Sequence, residues 1–270
     1  MSALFGQIIC EVRLVEVTPL HTMNPLTRFS DRAEDYVKYR GTYAPSAIDT
    51  ILAGLAPPQQ LILADIGAGP GIASQLFAQR GVRVLAIEPN AAMRKAAIPH
   101  PLIEFRDATA ESTNLPDASV DVVTCCSAFQ WFNHEVSLWE FRRILKASGR
   151  LAVLANDRLK NDEFTGEYVR LLRASSENPP PEACFLSVEP LINSPHFLNI
   201  RRYTFDHRQE VDLTGLIGNA MSYSTVPRQG LAHQQLISSL QDLYERHCNE
   251  HGMVSLVYRT IVHLAEPTDE

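Results

Sequence analysis

The chain contains 270 residues, of which 45% are hydrophobic and 20% charged, and its formal net charge at pH 7 is −7. This composition is ordinary for a globular protein and excludes wholesale disorder, collagen and coiled coil. Because no dense tract of Lys and Arg offsets the acidic balance, long nucleic acid is a poor partner. No apolar run reaches about 18 residues, so we expect no membrane span.

Cysteine usage predicts a reduced, cytoplasmic protein without a metal site. The number of cysteines is odd, and no CxxC or zinc-ligand spacing occurs. The five residues are Cys10, Cys125, Cys126, Cys184 and Cys248. Residues 1–22 lack the basic leader of a signal peptide and are expected to form an extension of uncertain order.

Between residues 61 and 158, short apolar runs alternate with segments of helical periodicity. In chain order, the pattern predicts strands at 61–66, 82–87, 103–106, 120–126 and 151–154, separated by helices at 72–80, 90–97 and 135–147. Asn90 is the predicted N-cap of the second helix, and Gly149 is expected to end the third. Strand–helix–strand spacing of this kind indicates a parallel sheet with helices on both faces.

Elements outside this region are expected to cover and complete the sheet. A helix at 33–40 precedes the first strand, and the chain beyond residue 158 alternates helices at 162–175, 213–220 and 231–251 with strands at 200–211 and 254–264, the last antiparallel. We therefore divide the chain into an extension (1–22), a ligand-binding core with a lid helix (23–158), a pocket-and-lid insertion with a late strand (159–252) and a final strand (253–265).

The strongest motif is the glycine turn that follows the first strand, Asp65-x-Gly67-x-Gly69-x-Gly71. Glycine lets the backbone turn tightly and lets a ligand approach the main chain. The dinucleotide pattern G-x-G-x-x-G would need a glycine where Ile72 stands, and no lysine follows to form a phosphate loop. The turn therefore predicts a ligand site without the usual phosphate anchors.

Three further groups follow the next strands. Glu88 ends the second strand, where an acidic side chain accepts hydrogen bonds from a ribose diol. Asp107, after the third strand, could accept from an exocyclic amine, although helix capping also explains it. Beyond the fourth strand, Gln130, Trp131 and Phe132 suit a ligand wall, with core packing as the alternative. All of these positions meet at the carboxyl edge of a parallel sheet.

Together these motifs resemble the class I S-adenosylmethionine-dependent methyltransferases, and in particular the methyltransferase type 11 group with its trans-aconitate-methyltransferase-like members. The resemblance runs from about residue 28 to residue 158 and more weakly to residue 264. It implies an α/β fold: a Rossmann-like, doubly wound, mostly parallel seven-stranded sheet with an antiparallel last strand and a helical lid over its carboxyl edge. It also implies S-adenosylmethionine as cofactor and S-adenosylhomocysteine as product.

The resemblance also assigns expected roles to residues. The glycine turn would hold the methionine part of the cofactor, Glu88 the ribose, Met93 the adenine, Asp107 and Ala108 the adenine edge, and Tyr36 and Arg40 of the lid helix the carboxylate. The expected cofactor-binding set is Tyr36, Arg40, Asp65, Gly67, Ala68, Gly69, Glu88, Pro89, Met93, Asp107, Ala108, Thr109 and Ser127. The expected acceptor-binding set is Gln130, Trp131, Phe132 and Tyr223.

Two departures from the family pattern concern the acceptor. Relatives often have histidine where this chain has Gln130, and Ala44 separates Tyr43 from Pro45 in the lid motif. His134 and Tyr39 are the nearest candidates for a general base, with structural roles as the alternative. We expect a small-molecule methyl acceptor, no nucleic acid or membrane partner, and a monomer or weak homodimer. A cofactor-binding regulatory protein and a nicotinamide-dependent oxidoreductase are the alternative functions.

Overall fold

A computed structural model describes residues 20–23, 26–176 and 183–269 of the chain. Most of the predicted extension, including Cys10, lies outside these residues. Within them, seven strands form one sheet in the order β3-β2-β1-β4-β5-β7-β6. The strands are β1 (Ile62–Ile66), β2 (Arg83–Ile87), β3 (Ile103–Arg106), β4 (Val120–Cys126), β5 (Leu145–Arg158), β6 (Phe197–Val211) and β7 (Val254–Pro267).

Ten helices accompany the sheet in the described part of the chain. They are α1 (Ala33–Tyr39), α2 (Pro45–Leu52), α3 (Ile72–Ala78), α4 (Ala91–Ala96), α5 (His134–Ile144), α6 (Glu163–Ser175), α7 (Ala183–Leu186), α8 (Glu189–Ile192), α9 (Leu213–Met221) and α10 (Gly230–His247). Asn90 caps α4 as predicted, because its side chain accepts hydrogen bonds from the backbone N–H groups of Ala92 and Met93.

The pairing confirms the predicted fold class. Strands β1 to β5 pair in parallel, and β7 runs antiparallel to both β5 and β6. Helices α2 and α3 pack on one face of the sheet, and α5 and α8 pack on the other. This is a doubly wound α/β sheet, in which loops at the carboxyl ends of the strands gather along one edge.

A third apolar cluster lies beyond this core. Helices α6, α9 and α10 pack together there against β7, around side chains such as Tyr168, Leu216 and Leu240. The lid helix α1 packs on α9 so closely that a Cβ atom added at Gly218 would lie 2.2 Å from Cδ2 of Tyr39. The segment after β5 therefore encloses the carboxyl edge of the sheet together with α1.

Two predicted helix ends are wrong. Helix α5 stops at Ile144 because Leu145 turns to an extended backbone and pairs with Val120 in the sheet. The register then shifts, so that Val122 pairs with Arg150, and Gly149 lies in the resulting bulge instead of ending a helix. Helix α10 likewise ends at His247, four residues before the predicted position.

Candidate active site

Left-handed glycines shape the turn between β1 and α3. Gly67 and Gly69 have φ angles of 65° and 57°. A Cβ atom at Gly67 would lie 2.8 Å from Cβ of Ala128, whereas one at Gly69 would meet no atom within 4 Å. The backbone is therefore packed against the protein at Gly67 and open at Gly69, where a ligand has room to approach it.

Glu88, the residue after β2, holds this turn in place. One carboxylate oxygen accepts a hydrogen bond from the backbone N–H of Gly69 and the other from that of Asn90, both at 2.8 Å. The side chain is buried, and this burial raises the pKa of Glu88 above its ordinary value. Each carboxylate oxygen has a second lone pair, so Glu88 retains acceptor capacity for hydroxyl groups.

The lid helix presents Tyr36 and Arg40 to the same space. The Arg40 guanidinium carbon lies 5.0 Å from the centroid of the Tyr36 ring, and its Nη1 donates to Oγ of Ser222 at 3.1 Å. Burial raises the pKa of Tyr36, so its hydroxyl stays protonated at neutral pH. Arg40 thus offers further guanidinium N–H groups to an anion.

Ser127, directly after β4, adopts a strained backbone. Its φ is 55°, a left-handed value that is uncommon for a residue other than glycine. Its hydroxyl accepts a hydrogen bond from Tyr43 at 2.9 Å, which ties the segment after the lid helix to the end of β4. Strain of this kind is concentrated at ligand sites, where surrounding contacts maintain it.

A cluster of aromatic side chains lines part of the site. Trp131 packs edge-on against Phe29 at 5.8 Å and lies 6.1 Å from Phe185 between ring centroids. The guanidinium of Arg28 lies 5.4 Å from the Trp131 ring. Neighbouring Gln130 donates from Nε2 to the carbonyl of Ser127 at 3.0 Å. The wall predicted from the aromatic residues thus includes partners from the N-terminal segment and from α7.

These groups line one cavity of about 990 Å³. Most of the predicted residues are in its wall: Tyr36, Arg40, Gly67, Ala68, Gly69, Glu88, Pro89, Met93, Thr109, Ser127, Gln130, Trp131, Phe132 and Tyr223. His21 and Thr22 also line it, so the last residues of the predicted extension contribute to the site.

Three predicted cofactor residues lie outside this lining. Asp65 is fully buried beneath the turn, where it accepts hydrogen bonds from the hydroxyls of Ser74 and Thr124. Asp107 is largely exposed and forms an ion pair with Arg94 at 2.7 Å, and Ala108 is buried in the core. The buried hydrogen bonds of Asp65 therefore support the turn from beneath. The carboxylate of Asp107 is engaged in a salt bridge with Arg94.

Neither base candidate lines the cavity. His134 begins α5, stacks on Phe129 and donates from Nε2 to the Phe129 carbonyl at 3.0 Å, and burial lowers its pKa. Tyr39 lies against Gly218 in the contact between α1 and α9. Both residues are close in sequence to the motifs, but packing against Phe129 and Gly218 turns their side chains away from the ligand space.

Arg158 and Tyr258 are among the wall residues that sequence reasoning missed. Arg158 is the last residue of β5, and its guanidinium carbon lies 4.0 Å from the centroid of the Tyr223 ring. Tyr258 lies in β7, opposite Arg158 in the ladder. The only sequence signal for Arg158 is its place four residues after the predicted strand 151–154, on the side where the other motifs gather, because the strand in the structure extends to Arg158.

The described residues contain neither a candidate metal site nor a candidate membrane-spanning helix. No group of three or more His, Cys, Asp or Glu side chains is arranged to hold a metal ion. None of the helices in the described part of the chain is both long enough and apolar enough to cross a membrane.

The sequence of this chain is similar to those of known methyltransferases. The sequence profile of the methyltransferase domain family matches residues 64–153. A protein of Dictyostelium discoideum named as a methyltransferase is 28% identical over 73% of this chain and 78% of its own length. A trans-aconitate 2-methyltransferase of Afipia carboxidovorans is 26% identical over 59% of this chain and 68% of its own. With five other curated methyltransferases, the chain spans 53–61% of their length.

Among solved structures, a protein of Anaeromyxobacter dehalogenans described as a type II methyltransferase superposes with a TM-score of 0.62 at 21% identity, covering 84% of this chain and 98% of that one. This similarity shows a shared fold. Fold, motifs and family profile together define a class I S-adenosylmethionine-dependent methyltransferase. Residues 64–153 belong to the methyltransferase type 11 family.

The residues of the site fit the cofactor. The open backbone at Gly69 accommodates a close ligand, Glu88 supplies acceptor oxygens for hydroxyls, and Arg40 offers N–H groups to a carboxylate. A sulfonium cofactor with a ribose and an amino-acid end presents complementary groups. The cavity lining contains all three residues.

Proposed function

We propose that this chain transfers the methyl group of S-adenosylmethionine to a small-molecule acceptor. The observation that carries the proposal is the continuity of the cavity. It extends from the glycine turn and Glu88 to Tyr223 and Tyr258, which belong to the segment beyond β5. A single cavity of about 990 Å³ suits a cofactor with a small acceptor beside it better than a macromolecule.

The cofactor, when bound, supplies a methyl group already activated by a positive sulfur. The chain must then align the acceptor and exclude water, which in well-oriented systems lowers the barrier by about 7–11 kcal/mol. The chemistry that the bound cofactor would supply is in-line displacement at the methyl carbon, with the neutral thioether as leaving group. Glu88 and Arg40 would hold the two ends of the cofactor, and Trp131 with Phe29 would keep water out.

A cytoplasmic location is part of the proposal. Cys125, Cys126, Cys184 and Cys248 are all free thiols, as is typical of proteins in a reducing compartment.

The test combines cofactor binding with a search for methylated product. The full chain is incubated with isotope-labelled S-adenosylmethionine and a metabolite extract, and both S-adenosylhomocysteine and labelled small molecules are measured by mass spectrometry. We expect a labelled product that Glu88→Ala forms more slowly than the parent chain at limiting cofactor concentration. Cofactor binding without labelled product and without S-adenosylhomocysteine would favour the alternative of a cofactor-binding regulatory protein and reject the proposal.

A further inference from the structure

Arg32, in the short turn before α1, is a buried cation whose partners lie far away in the chain. Its Nη1 donates to the backbone carbonyl oxygens of Met221 and Tyr223 at 3.1 and 2.6 Å. Its Nη2 donates to the carbonyl oxygen of Val226 at 3.0 Å. Three carbonyls of one loop, residues 221–226, therefore converge on a single guanidinium.

This guanidinium fixes the path of the loop. Helix α9 ends at Met221, and the carbonyl of a last helical residue has no partner within its own helix. Arg32 supplies that partner, and a cation is favourable at the C-terminus of a helix. Because a guanidinium is planar and its N–H groups have fixed directions, the three carbonyls are held in one arrangement. Without Arg32, the loop would lose the contacts that fix its backbone.

The loop contributes part of the cavity wall. Tyr223, Ser224 and Thr225 all line the cavity. The Tyr223 ring is also in contact with Arg40, whose guanidinium carbon lies 3.6 Å from the ring centroid. Since the loop backbone determines where these side chains lie, Arg32 acts on the predicted acceptor wall without itself lining the cavity.

The turn that contains Arg32 is also connected to the predicted cofactor site. The Oγ of Ser30 accepts a hydrogen bond from Nδ2 of Asn90 at 3.0 Å. The backbone N–H of Asn90 in turn donates to the carboxylate of Glu88 at 2.8 Å. A continuous series of contacts therefore joins Glu88 to the turn, and through Arg32 to the loop. Such a network couples two sites if binding at one end changes the order of the other, which is a measurable quantity.

We propose that Arg32 is a positioning residue that couples the cofactor site to the acceptor wall by holding the loop 221–226. This inference rests on the proposed function, because it assigns the loop to the acceptor side of the cavity. Cofactor binding at Glu88 stabilises the turn before α1, and Arg32 transmits this order to the loop. Tyr223 is then held in place when the acceptor binds.

Hydrogen exchange of the loop amides, followed by mass spectrometry on the full chain, tests the coupling without turnover. The backbone N–H of Val226 donates to the Tyr223 carbonyl at 3.1 Å, so its exchange reports on the order of the loop. We expect S-adenosylhomocysteine to slow exchange in the loop at least fivefold in the unmodified chain. With the ligand bound, the loop of Arg32→Gln should exchange at least tenfold faster, and the ligand should not slow it. Exchange in the glycine turn should be slowed by the ligand in both chains.

Cofactor affinity and turnover distinguish positioning from a general loss of stability. We expect the calorimetric affinity of Arg32→Gln for S-adenosylhomocysteine to stay within fivefold of that of the unmodified chain. At saturating S-adenosylmethionine, the rate of labelled product formation from the same metabolite extract should fall at least tenfold. Arg32→Lys should be intermediate in exchange and in turnover, because it keeps the charge and loses the planar set of donors.

Arg228→Gln is the matched control. Arg228 joins the same two parts of the chain, since its guanidinium donates to the Asp31 carbonyl and pairs with the Asp35 carboxylate, both at 2.9 Å. These contacts do not involve the loop carbonyls, so loop exchange and turnover should stay within twofold of the unmodified chain. Melting temperatures show whether each variant is folded, and Arg32→Lys serves if Arg32→Gln is not.

Four outcomes would overturn the inference. They are loop exchange in the unmodified chain that the ligand leaves unchanged, loop exchange in Arg32→Gln that the ligand still slows, equal loosening of the loop by Arg228→Gln, and a loss of cofactor affinity in Arg32→Gln as large as in Glu88→Ala. The last would make Arg32 part of the cofactor site. The proposed function fails separately, when the unmodified chain forms no labelled product, and the exchange and affinity measurements do not depend on that result.

Discussion

The carboxylate of Glu88 accepts a hydrogen bond from the backbone N–H of Gly69, with 2.8 Å between the oxygen and the nitrogen. The acid at the end of β2 and the glycine turn after β1 therefore form one unit before any ligand binds. Glu88 has two functions in this arrangement, since it fixes the turn and supplies acceptor oxygens to the cavity.

Glu88→Ala should weaken S-adenosylmethionine binding by about tenfold or more. Hydrogen bonds to a charged group contribute roughly 1.5–3 kcal/mol each, and the variant loses these while freeing the turn. Glu88→Gln should weaken binding nearly as much. Its amide NH₂ would replace a carboxylate oxygen that accepts from a backbone N–H, so that two donors would face each other. Calorimetry gives both affinities, and a dissociation constant within twofold of the parent chain would contradict this role.

Cofactor affinity should also depend on pH through Glu88. Burial raises the pKa of this carboxyl. The ionised form accepts the hydroxyl hydrogen bonds, so affinity is full above the raised pKa and declines as the pH falls through it. The decline should begin at a higher pH than an ordinary glutamate would give. Titrations across the acidic range compare the parent chain with Glu88→Ala, and superimposable pH profiles would exclude Glu88 as the source.

Gly69→Val should abolish cofactor binding while leaving the fold intact. The φ of 57° disfavours a β-branched residue, and the added side chain would meet no protein atom near its Cβ, so it would occupy ligand space. Gly54→Val is the matched control, because Gly54 also has positive φ and open surroundings but lies outside the cavity wall. Unchanged calorimetric affinity in a folded Gly69→Val chain would show that the turn is not the cofactor site.

The lid helix should be protected by ligand. We expect protease to cut the segment 24–45 quickly in the free chain and slowly with S-adenosylhomocysteine bound, since Tyr36 and Arg40 line the cavity. Arg40→Ala should reduce this protection and slow methyl transfer at saturating cofactor. Deleting residues 1–19, which carry no motif, should change neither quantity. Equal cleavage of the free and liganded chains, with binding verified, would refute a lid.

Gly218→Ala should separate α1 from α9. The new methyl group would overlap the Tyr39 ring, and overpacking of this kind costs about 1–3 kcal/mol. We expect a lower melting temperature and faster cleavage of the lid segment. In the same helix Gly215→Ala meets its nearest atom at 3.1 Å and should have a smaller effect. Parent-like melting and cleavage in Gly218→Ala would mean that the contact does not hold the lid.

Local sequence patterns predict the strands of the sheet core and the cofactor half of the site. Strand β4 matches its predicted limits because a mainly apolar run fixes a buried strand, and the short, partly exposed β3 also matches its predicted limits. The end of α5 was not predictable in this way, since its apolar spacing continues into Leu145 and only pairing with Val120 turns that residue into the sheet. The glycine turn and Glu88 could be predicted from the sequence because each directly follows its strand in the chain.

The acceptor half of the site depends on contacts between distant segments. Arg40, Arg158 and Tyr223 are separated by many residues and meet only after α1, β5 and the end of α9 are assembled. No periodic pattern in the sequence indicates that these three side chains are in contact. The same reason explains Tyr39, whose side chain is positioned by Gly218 of α9. The side chain of His134 is positioned by a local contact with Phe129, which the helical periodicity of α5 does not indicate.

The position of β7 between β5 and β6 delays completion of the sheet until the end of synthesis. Among the described strands, β6 pairs only with β7, which is made more than forty residues later. Until β7 leaves the ribosome, β5 and β6 both present unpaired edges, which are surfaces prone to association with other chains. The nascent protein should therefore depend on chaperones until its final strand inserts, and ribosome-bound chains that end before residue 254 should be captured by them more than chains that include β7.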